Sequence, residues 1–292
     1  MKFGIDISSW QTGINLEQAK AEGVKFAILR AGYTGWGTGI DKYKDTSFET
    51  FYNQCKSLNI PVGAYWYSCA DNYEKGVNEA KFMYENCLKN KQFEYPIYID
   101  VEDTHYQSKN KNGTTEAIIG FCETLEDLGY YVGIYANVDW FKNYIDTDRL
   151  NAYDKWVACW STNRPTYPKG EMWQFGGETN KIRSTIIADM VCDQDYSYID
   201  YPNLIKGKGF NGYKKEDNPI NNNPQPETQE LKVGTRVKAI AQGNGASDGT
   251  SNTARSGVIG TITRIIPNAK YPYLISDNEP IGWYKKDSLE II

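Results

Sequence analysis

Over its first two hundred residues the chain alternates short apolar runs with amphipathic stretches of helical spacing, and that alternation leaves few folds open to it. The runs lie at Lys2 to Ile7, Val24 to Ala31, Ile60 to Tyr67, Tyr95 to Val101, Tyr131 to Tyr135, Lys155 to Trp160, Met172 to Phe175 and Ala188 to Cys192. Between the early ones sit Asn15 to Glu22, Thr46 to Leu58, Tyr73 to Lys89 and Thr115 to Leu128, with polar starts such as Thr114-Thr115-Glu116. After about Asp154 the helical signals fade and strands follow one another through turns. Strands separated by helices pair in parallel, and eight strand candidates at this spacing predict closure into a barrel.

The character of the sequence changes near residue 206. From Gly207 to Glu230 it is rich in Gly, Asn, Pro and charge, as a linker is. Residues 1 to 205 carry 28 acids against 20 bases, whereas residues 231 to 292 carry eight bases against five acids. The expected organisation is therefore a first domain at 1–206, a linker at 207–230 and a second domain at 231–292. No internal repeat is visible.

A parallel barrel presents its chemistry at the C-terminal ends of its strands, and three strand candidates end in acids. In Tyr95-Pro96-Ile97-Tyr98-Ile99-Asp100-Val101-Glu102-Asp103, strand alternation puts Tyr98, Asp100 and Glu102 on one face and the apolar Ile97, Ile99 and Val101 on the other. The two carboxylates then stand about 6.5 to 7 Å apart at their Cα atoms. Two nearby carboxyls in unequal surroundings are driven to different protonation states, which suits acid and base chemistry on an uncharged substrate. Asp6 stands one residue before the end of the first run, and Asp193 and Asp195 directly follow the last. The same ends carry Tyr65, Tyr67, Tyr135, Asn137, Trp160, Trp173 and Gln174, a set that describes a carbohydrate cleft. Aromatic residues make up 14% of the chain, and most are Tyr and Trp.

Other chemistries have little to work with. The single histidine, His105, cannot build a His-rich zinc site, and a Cys-His enzyme would have to rely on it alone. The six cysteines are widely spaced with no C-x-x-C pair and read as buried thiols. No run approaches the roughly 18 to 20 apolar residues of a membrane span. No metal, cofactor, nucleic acid or membrane insertion is expected. The first residues run straight into a strand signal, which predicts synthesis in the cytoplasm without a signal peptide.

Taken in order, Asp6-Ile7-Ser8-Ser9-Trp10-Gln11, Tyr98-Ile99-Asp100-Val101-Glu102, Trp156-Val157-Ala158, Met172-Trp173-Gln174-Phe175 and Val191-Cys192-Asp193-Gln194-Asp195-Tyr196 resemble the lysozymes of glycoside hydrolase family 25. The resemblance covers residues 1 to about 200. It implies an α/β fold, an irregular TIM-like (β/α)5(β)3 barrel, and cleavage of the β-1,4 bond between N-acetylmuramic acid and N-acetylglucosamine in the peptidoglycan of a bacterial, Gram-positive wall. Glu102 would be the general acid and then the base. Asp100 would stay ionised and assist through the substrate acetamido group, and Asp6 and Asp193 would hold the cluster's charge and hydrogen bonds. The carboxyl spacing leaves retention and inversion both open. His105 and Asp103 read as loop residues, Asp195 as a supporting acid, and Arg30 as paired with the acids inside the barrel.

After the linker come short β runs that fit a small all-β barrel. The opening Lys232-Val233-Gly234 and the closing Gly282-Trp283-Tyr284 resemble bacterial SH3-like wall-binding domains. Tyr271, Tyr273 and Trp283 are the candidate contacts, and Gly243 to Ser256 the expected recognition loop. A hydrolytic domain tethered to a wall-binding one resembles a phage endolysin that acts on the wall after release. A bacterial autolysin, or a wall-binding protein on an inactive barrel, remains an alternative at this point.

Overall fold

The computed structural model describes residues 1–35, 40–214, 231–267, 269–277 and 279–291. The chain divides into two compact units, Met1–Pro219 and Ile220–Ile292. In the first, β1 (Lys2–Ile7), α1 (Leu16–Ala21), β2 (Ala27–Thr34), β3 (Lys42–Lys44), α2 (Phe48–Ser57), β4 (Val62–Tyr67), α3 (Tyr73–Met83) and β5 (Ile97–Asp100) are followed by α4 (Lys111–Asp127), β6 (Val132–Asn137), α5 (Val138–Asn143), β7 (Asp154–Ala158) and β8 (Met172–Gly176). A ribbon of β9 (Ile186–Ile187) and β10 (Met190–Val191), then β11 (Asp193–Ser197) and α6 (Tyr201–Lys208), complete it.

Eight strands close on themselves in the order β1, β2, β4, β5, β6, β7, β8, β11, because β1 pairs with both β2 and β11. The first seven run parallel and β11 runs antiparallel to both its neighbours. The eight-stranded mixed α/β barrel of the sequence reading is present, but its pattern differs from a plain (β/α)5(β)3. An extra antiparallel strand, β3, hangs on β2, the fifth helix is only six residues long, and a sixth helix follows the last strand.

Alternation along each strand separates two cores. Ile97, Ile99 and Val101 face outward into the layer shared with the helices, whereas Tyr98 faces inward with Phe26, Ile28, Tyr95, Trp156 and Met172. Tyr201 and Ile205 of α6 join that inner set, so α6 seals the end of the barrel where the parallel strands begin. The Tyr201 and Tyr131 hydroxyls donate to Asp154 Oδ2 at 2.8 and 2.9 Å, at the start of β7. The opposite end stays open for chemistry.

Three sequence expectations shift. The run Ala188 to Cys192 is not a barrel strand: Ala188 and Asp189 have φ of 47° and 64° and make the two-residue turn between β9 and β10, and Met190–Val191 belong to that short ribbon. The last barrel strand therefore starts at Asp193. Helix α4 begins at Lys111, where Asn110 Oδ1 accepts the Gly113 N–H at 3.0 Å, ahead of the expected Thr114 start. The segment 207–213, read as the start of the linker, packs on the first unit. Asn211 is fully buried, takes the Tyr131 N–H on Oδ1 at 2.7 Å and donates from Nδ2 to Tyr95 O at 2.9 Å. Its Gly and Asn content serves a fixed turn, Gly209 at φ 75° and Asn211 at φ 54°. The rest of the expected linker, 215–230, lies outside the described residues. No helix among the described residues is long and apolar enough to cross a membrane.

The second unit holds β12 (Arg236–Ala239), β13 (Gly243–Asn244), β14 (Thr253–Ala254), β15 (Ile259–Ile265), β16 (Tyr273–Asp277), β17 (Glu279–Tyr284) and β18 (Leu289–Ile291). They form one sheet in the order β14-β13-β17-β16-β15-β12-β18, every pair antiparallel. Val237, Ile262, Ile275 and Tyr284 are its core. Tyr271, Tyr273 and Trp283 are partly exposed, and the Lys270 and Lys285 ammonium groups lie 6.0 and 5.6 Å from the Tyr271 ring. The expected loop Gly243 to Ser256 is partly a hairpin, braced by Asn244, whose Oδ1 accepts the Ala246 and Ser251 N–H groups.

Candidate active site

The open end of the barrel collects the acids. Asp6 lies one residue from the end of β1, Asp100 ends β5, and Glu102 stands two residues beyond it. Asp193 reaches the same rim from the other direction: β11 is antiparallel, so its first residue meets Asp6 in register. Asp195, two residues on, is fully buried beneath. The sequence reading placed these last acids at a strand's C-terminal end; they sit at an N-terminal one.

Below them is an aromatic floor centred on Trp156, a residue to which the sequence pattern gave no role, and built with the expected cleft residues Tyr65 and Tyr135. Trp156 packs against Tyr135, Tyr98 and Tyr65 with ring centroids 4.5, 5.1 and 6.0 Å away, and its Nε1 donates to Asp195 Oδ1 at 2.7 Å. Parallel pairing sets Tyr67 and Tyr135 beside Asp100 on the two neighbouring strands. The Tyr67 hydroxyl goes to Asp103 Oδ2 at 3.3 Å, and Asp103 Oδ1 holds the backbone N–H of His105 and Tyr106, so Asp103 builds a loop. His105 is exposed, its ring against Tyr106.

Gln174 is the hub of the polar layer. Its Nε2 donates to Asp6 Oδ2 at 2.9 Å, while its Oε1 accepts the Tyr135 hydroxyl at 3.0 Å and the Trp160 Nε1–H at 3.1 Å. Trp160 remains 38% exposed at the rim. Gly177 makes room for this group, since a Cβ there would lie 2.0 Å from Asp193 Oδ1 and 2.7 Å from the Trp160 ring. Trp173, one residue from Gln174, points the other way: it is buried in the outer core against Phe175, and its Nε1 donates to Cys159 O at 2.8 Å. Strand alternation removes it from the cleft.

Asp6, Tyr65, Asp100, Glu102, Tyr135, Trp156, Gln174 and Asp193 line one central pocket. It shares Asp6, Tyr65 and Asp193 with a cavity of about 660 Å³ on one side, walled by Trp10, Gln11, Arg30 and Val191. On the other side it shares Glu102, Tyr135 and Gln174 with a cavity of about 390 Å³ walled by Asn137, Asp139 and Trp160. The acids thus stand midway along a groove. Asn137 also caps α5, accepting the Trp140 N–H at 3.0 Å. Trp10, 74% exposed, was not assigned from sequence. Arg30 does not pair with the acid cluster: its Nε donates to buried Asp45 at 2.8 Å and its Nη2 to Ser9 Oγ at 2.8 Å.

Burial dominates the electrostatics. It pushes Asp6 well above the usual carboxylate range, helped by the charges of Asp195 and Asp193 and opposed by the Gln174 hydrogen bond. Asp195 is raised by burial against the Trp156 hydrogen bond. Asp193 rises to about 6 through burial and the charges of Glu102 and Glu178. Burial lifts Glu102, and lifts Asp100 well above its ordinary value with the Glu102 charge adding to it. Asp100 is the more enclosed of the two. Its buried Oδ1 has no hydrogen-bond partner among the described residues.

Comparison with known proteins places the chain in a family and gives its barrel structural counterparts. The sequence pattern of "Glycosyl hydrolases family 25" matches residues 5–182. Lysozyme M1 of Streptomyces globisporus is 24% identical over 201 residues, which cover 59% of this chain and 60% of that protein. The chain therefore spans less than two thirds of this relative's length. Among solved structures, the CTP1L endolysin superposes with a TM-score of 0.58 at 21% identity over 71% of this chain and 70% of that one. The modular autolysin LytC from Streptococcus pneumoniae, in complex with a synthetic peptidoglycan ligand, gives 0.56 at 24% identity over 66% and 46%. At such identities these likenesses show a shared fold.

Proposed function

The chain belongs to glycosyl hydrolase family 25, and on that footing we propose that it is a peptidoglycan hydrolase cutting the β-1,4 bond between N-acetylmuramic acid and N-acetylglucosamine. The observation that carries this reading is the central pocket, where Glu102 and Asp100 sit beside Asp6 and Asp193 over the Trp156 floor, midway along a groove open at both ends. A groove takes a polymer through, and acids at its middle cut internal bonds.

Glu102 donates its proton to the leaving glycosidic oxygen, and burial raises its hold on that proton above that of an ordinary carboxyl. The substrate's acetamido oxygen attacks the anomeric carbon as the C–O bond breaks. The acetamido N–H donates to Asp100 Oδ1, the buried acceptor without a partner; such a bond favours the carboxylate and returns to Asp100 the ionised state the reaction uses. Water then attacks the anomeric carbon, Glu102 takes its proton, and the acetamido group is released with net retention. Asp6, held by Gln174, and Asp193 keep the developing positive charge surrounded by acids.

The second unit is read as an SH3-like wall-binding domain with Tyr271, Tyr273 and Trp283 as contacts. Eight bases against five acids suit an anionic wall polymer, and tethering raises the local substrate concentration. The pair of units supports a phage endolysin role. Release of reducing ends from purified peptidoglycan without new amino groups is the expected result. New amino groups without reducing ends would replace this reading with an amidase or peptidase, and release of neither with a binding protein.

A further inference from the structure

One buried carboxyl lies outside the cleft. Glu79 on α3 is 2% exposed. Its Oε1 accepts the Thr34 hydroxyl at 2.6 Å and the Cys69 N–H at 3.1 Å, and its Oε2 accepts the Ser68 hydroxyl at 2.6 Å. O–H···O contacts of that length fit an ionised acceptor.

A hydroxyl has one proton, and Ser68 commits its own to Glu79. Ser68 Oγ is left to accept, from the Ala70 N–H at 3.1 Å and Gln107 Nε2 at 3.2 Å. Gln107 is fully buried; it also donates to Ala70 O at 3.1 Å and takes the Asp103 N–H on Oε1 at 3.1 Å. Asp103 is the residue next to Glu102. The backbone fixes how Gln107 is turned, so Ser68 is the joint that answers to Glu79: its proton goes to Oε2 only while that oxygen is an acceptor, and its own oxygen then takes the Gln107 amide.

We propose that Glu79 is a positioning residue: as a carboxylate it fixes the polarity of the Ser68–Gln107 relay that holds residues 101–107, and with them Glu102, in place. This rests on the reading of Glu102 as proton donor. A proton on Oε2 would give Ser68 three donors for two lone pairs and leave its own proton without an acceptor. The groups facing Glu79 are Lys42 from β3, which favours its ionised form, Cys69 after β4 and Lys75 on its own helix, with Asp103 beyond Gln107. Burial outweighs the hydrogen bonds and brings the carboxyl up to about 7, so the relay switches near neutral pH.

Glu79→Gln imposes the reversed polarity permanently. The Cys69 N–H needs an acceptor, so the amide oxygen takes the Oε1 place and the NH2 turns to Ser68. Steady-state hydrolysis of purified peptidoglycan by the full chain should show kcat down by about ten- to a hundredfold with KM changed by less than about twofold, as for a small misplacement of the acid. Wild-type kcat should also fall as pH drops through about 7, a step absent from Glu79→Gln. Ser68→Ala should lower kcat, and the double variant should be no worse than the poorer single one. Wild-type kcat in Glu79→Gln, or additive losses, would overturn the relay; if that variant fails to fold, unchanged kcat in Ser68→Ala does so. Hydrogen exchange of the Asp103 amide gives a readout independent of turnover, faster in the variants if the relay exists. Should the wild type release no reducing ends, the proposed function fails while that exchange still decides the relay.

Discussion

Asp6 on the first barrel strand stands in register with Asp193 on the last, across the antiparallel pair that closes the barrel. Two acids more than 180 positions apart in sequence thus become neighbours only when the barrel shuts. Closure and site assembly are one event, and a variant that disturbs the β1–β11 seam disturbs both.

Gln174 satisfies Asp6, Tyr135 and Trp160 at once. Gln174→Met keeps the length but strands one acceptor and two donors in a mostly buried layer. Stability should fall by about 1–3 kcal/mol in chemical denaturation, and turnover should fall further than that loss explains, because Tyr135 and Trp160 both line the groove.

Gly177→Ala tests the crowding behind Asp193. The new methyl meets the Asp193 carboxyl and the rim indole of Trp160, both side chains that can swing aside. The melting temperature should change little, while kcat/KM on peptidoglycan drops about tenfold or more, the cost of misplacing groups around the reacting centre. Unchanged kcat/KM would remove Asp193 and Trp160 from the site.

The pH dependence of stability has a definite sign at Asp193, whose carboxyl sits at about 6 against an ordinary 3.8. Between those values the folded protein holds a proton that the unfolded chain has lost, so stability falls as pH rises through the window. Asp193→Asn removes that penalty. Thermal melts should show it stabilised at pH 7 by about 1–2 kcal/mol, after allowance for solvent screening of a partly exposed group, and little changed near pH 3.5. An equal effect at both pH values would contradict the burial argument.

The barrel and its acids were legible because strand alternation and strand ends leave local marks. Asp6, Asp100 and Glu102 follow from such marks, and the pocket gathers them with Asp193. What was not legible depended on partners remote in sequence. Ile186-Ile187 and Met190-Val191 blur into one apolar run, and only the left-handed Ala188 and Asp189 show the turn. Asn211 looks like linker until Tyr95 and Tyr131 come within reach of its amide. Trp173 was the expected cleft ring and Trp156 had no role assigned; alternation turns Trp173 outward and makes Trp156 the floor. Arg30 found Asp45, an acid that no motif marked.

The most direct measurement is the turnover of Glu102→Gln on purified peptidoglycan, taken beside its melting curve. Loss of the only proton donor assigned to the glycosidic oxygen should reduce reducing-end release by about 10²- to 10⁴-fold with an unchanged fold. Near wild-type release from a folded Glu102→Gln protein would contradict the assignment and move the chemistry to another acid of the groove.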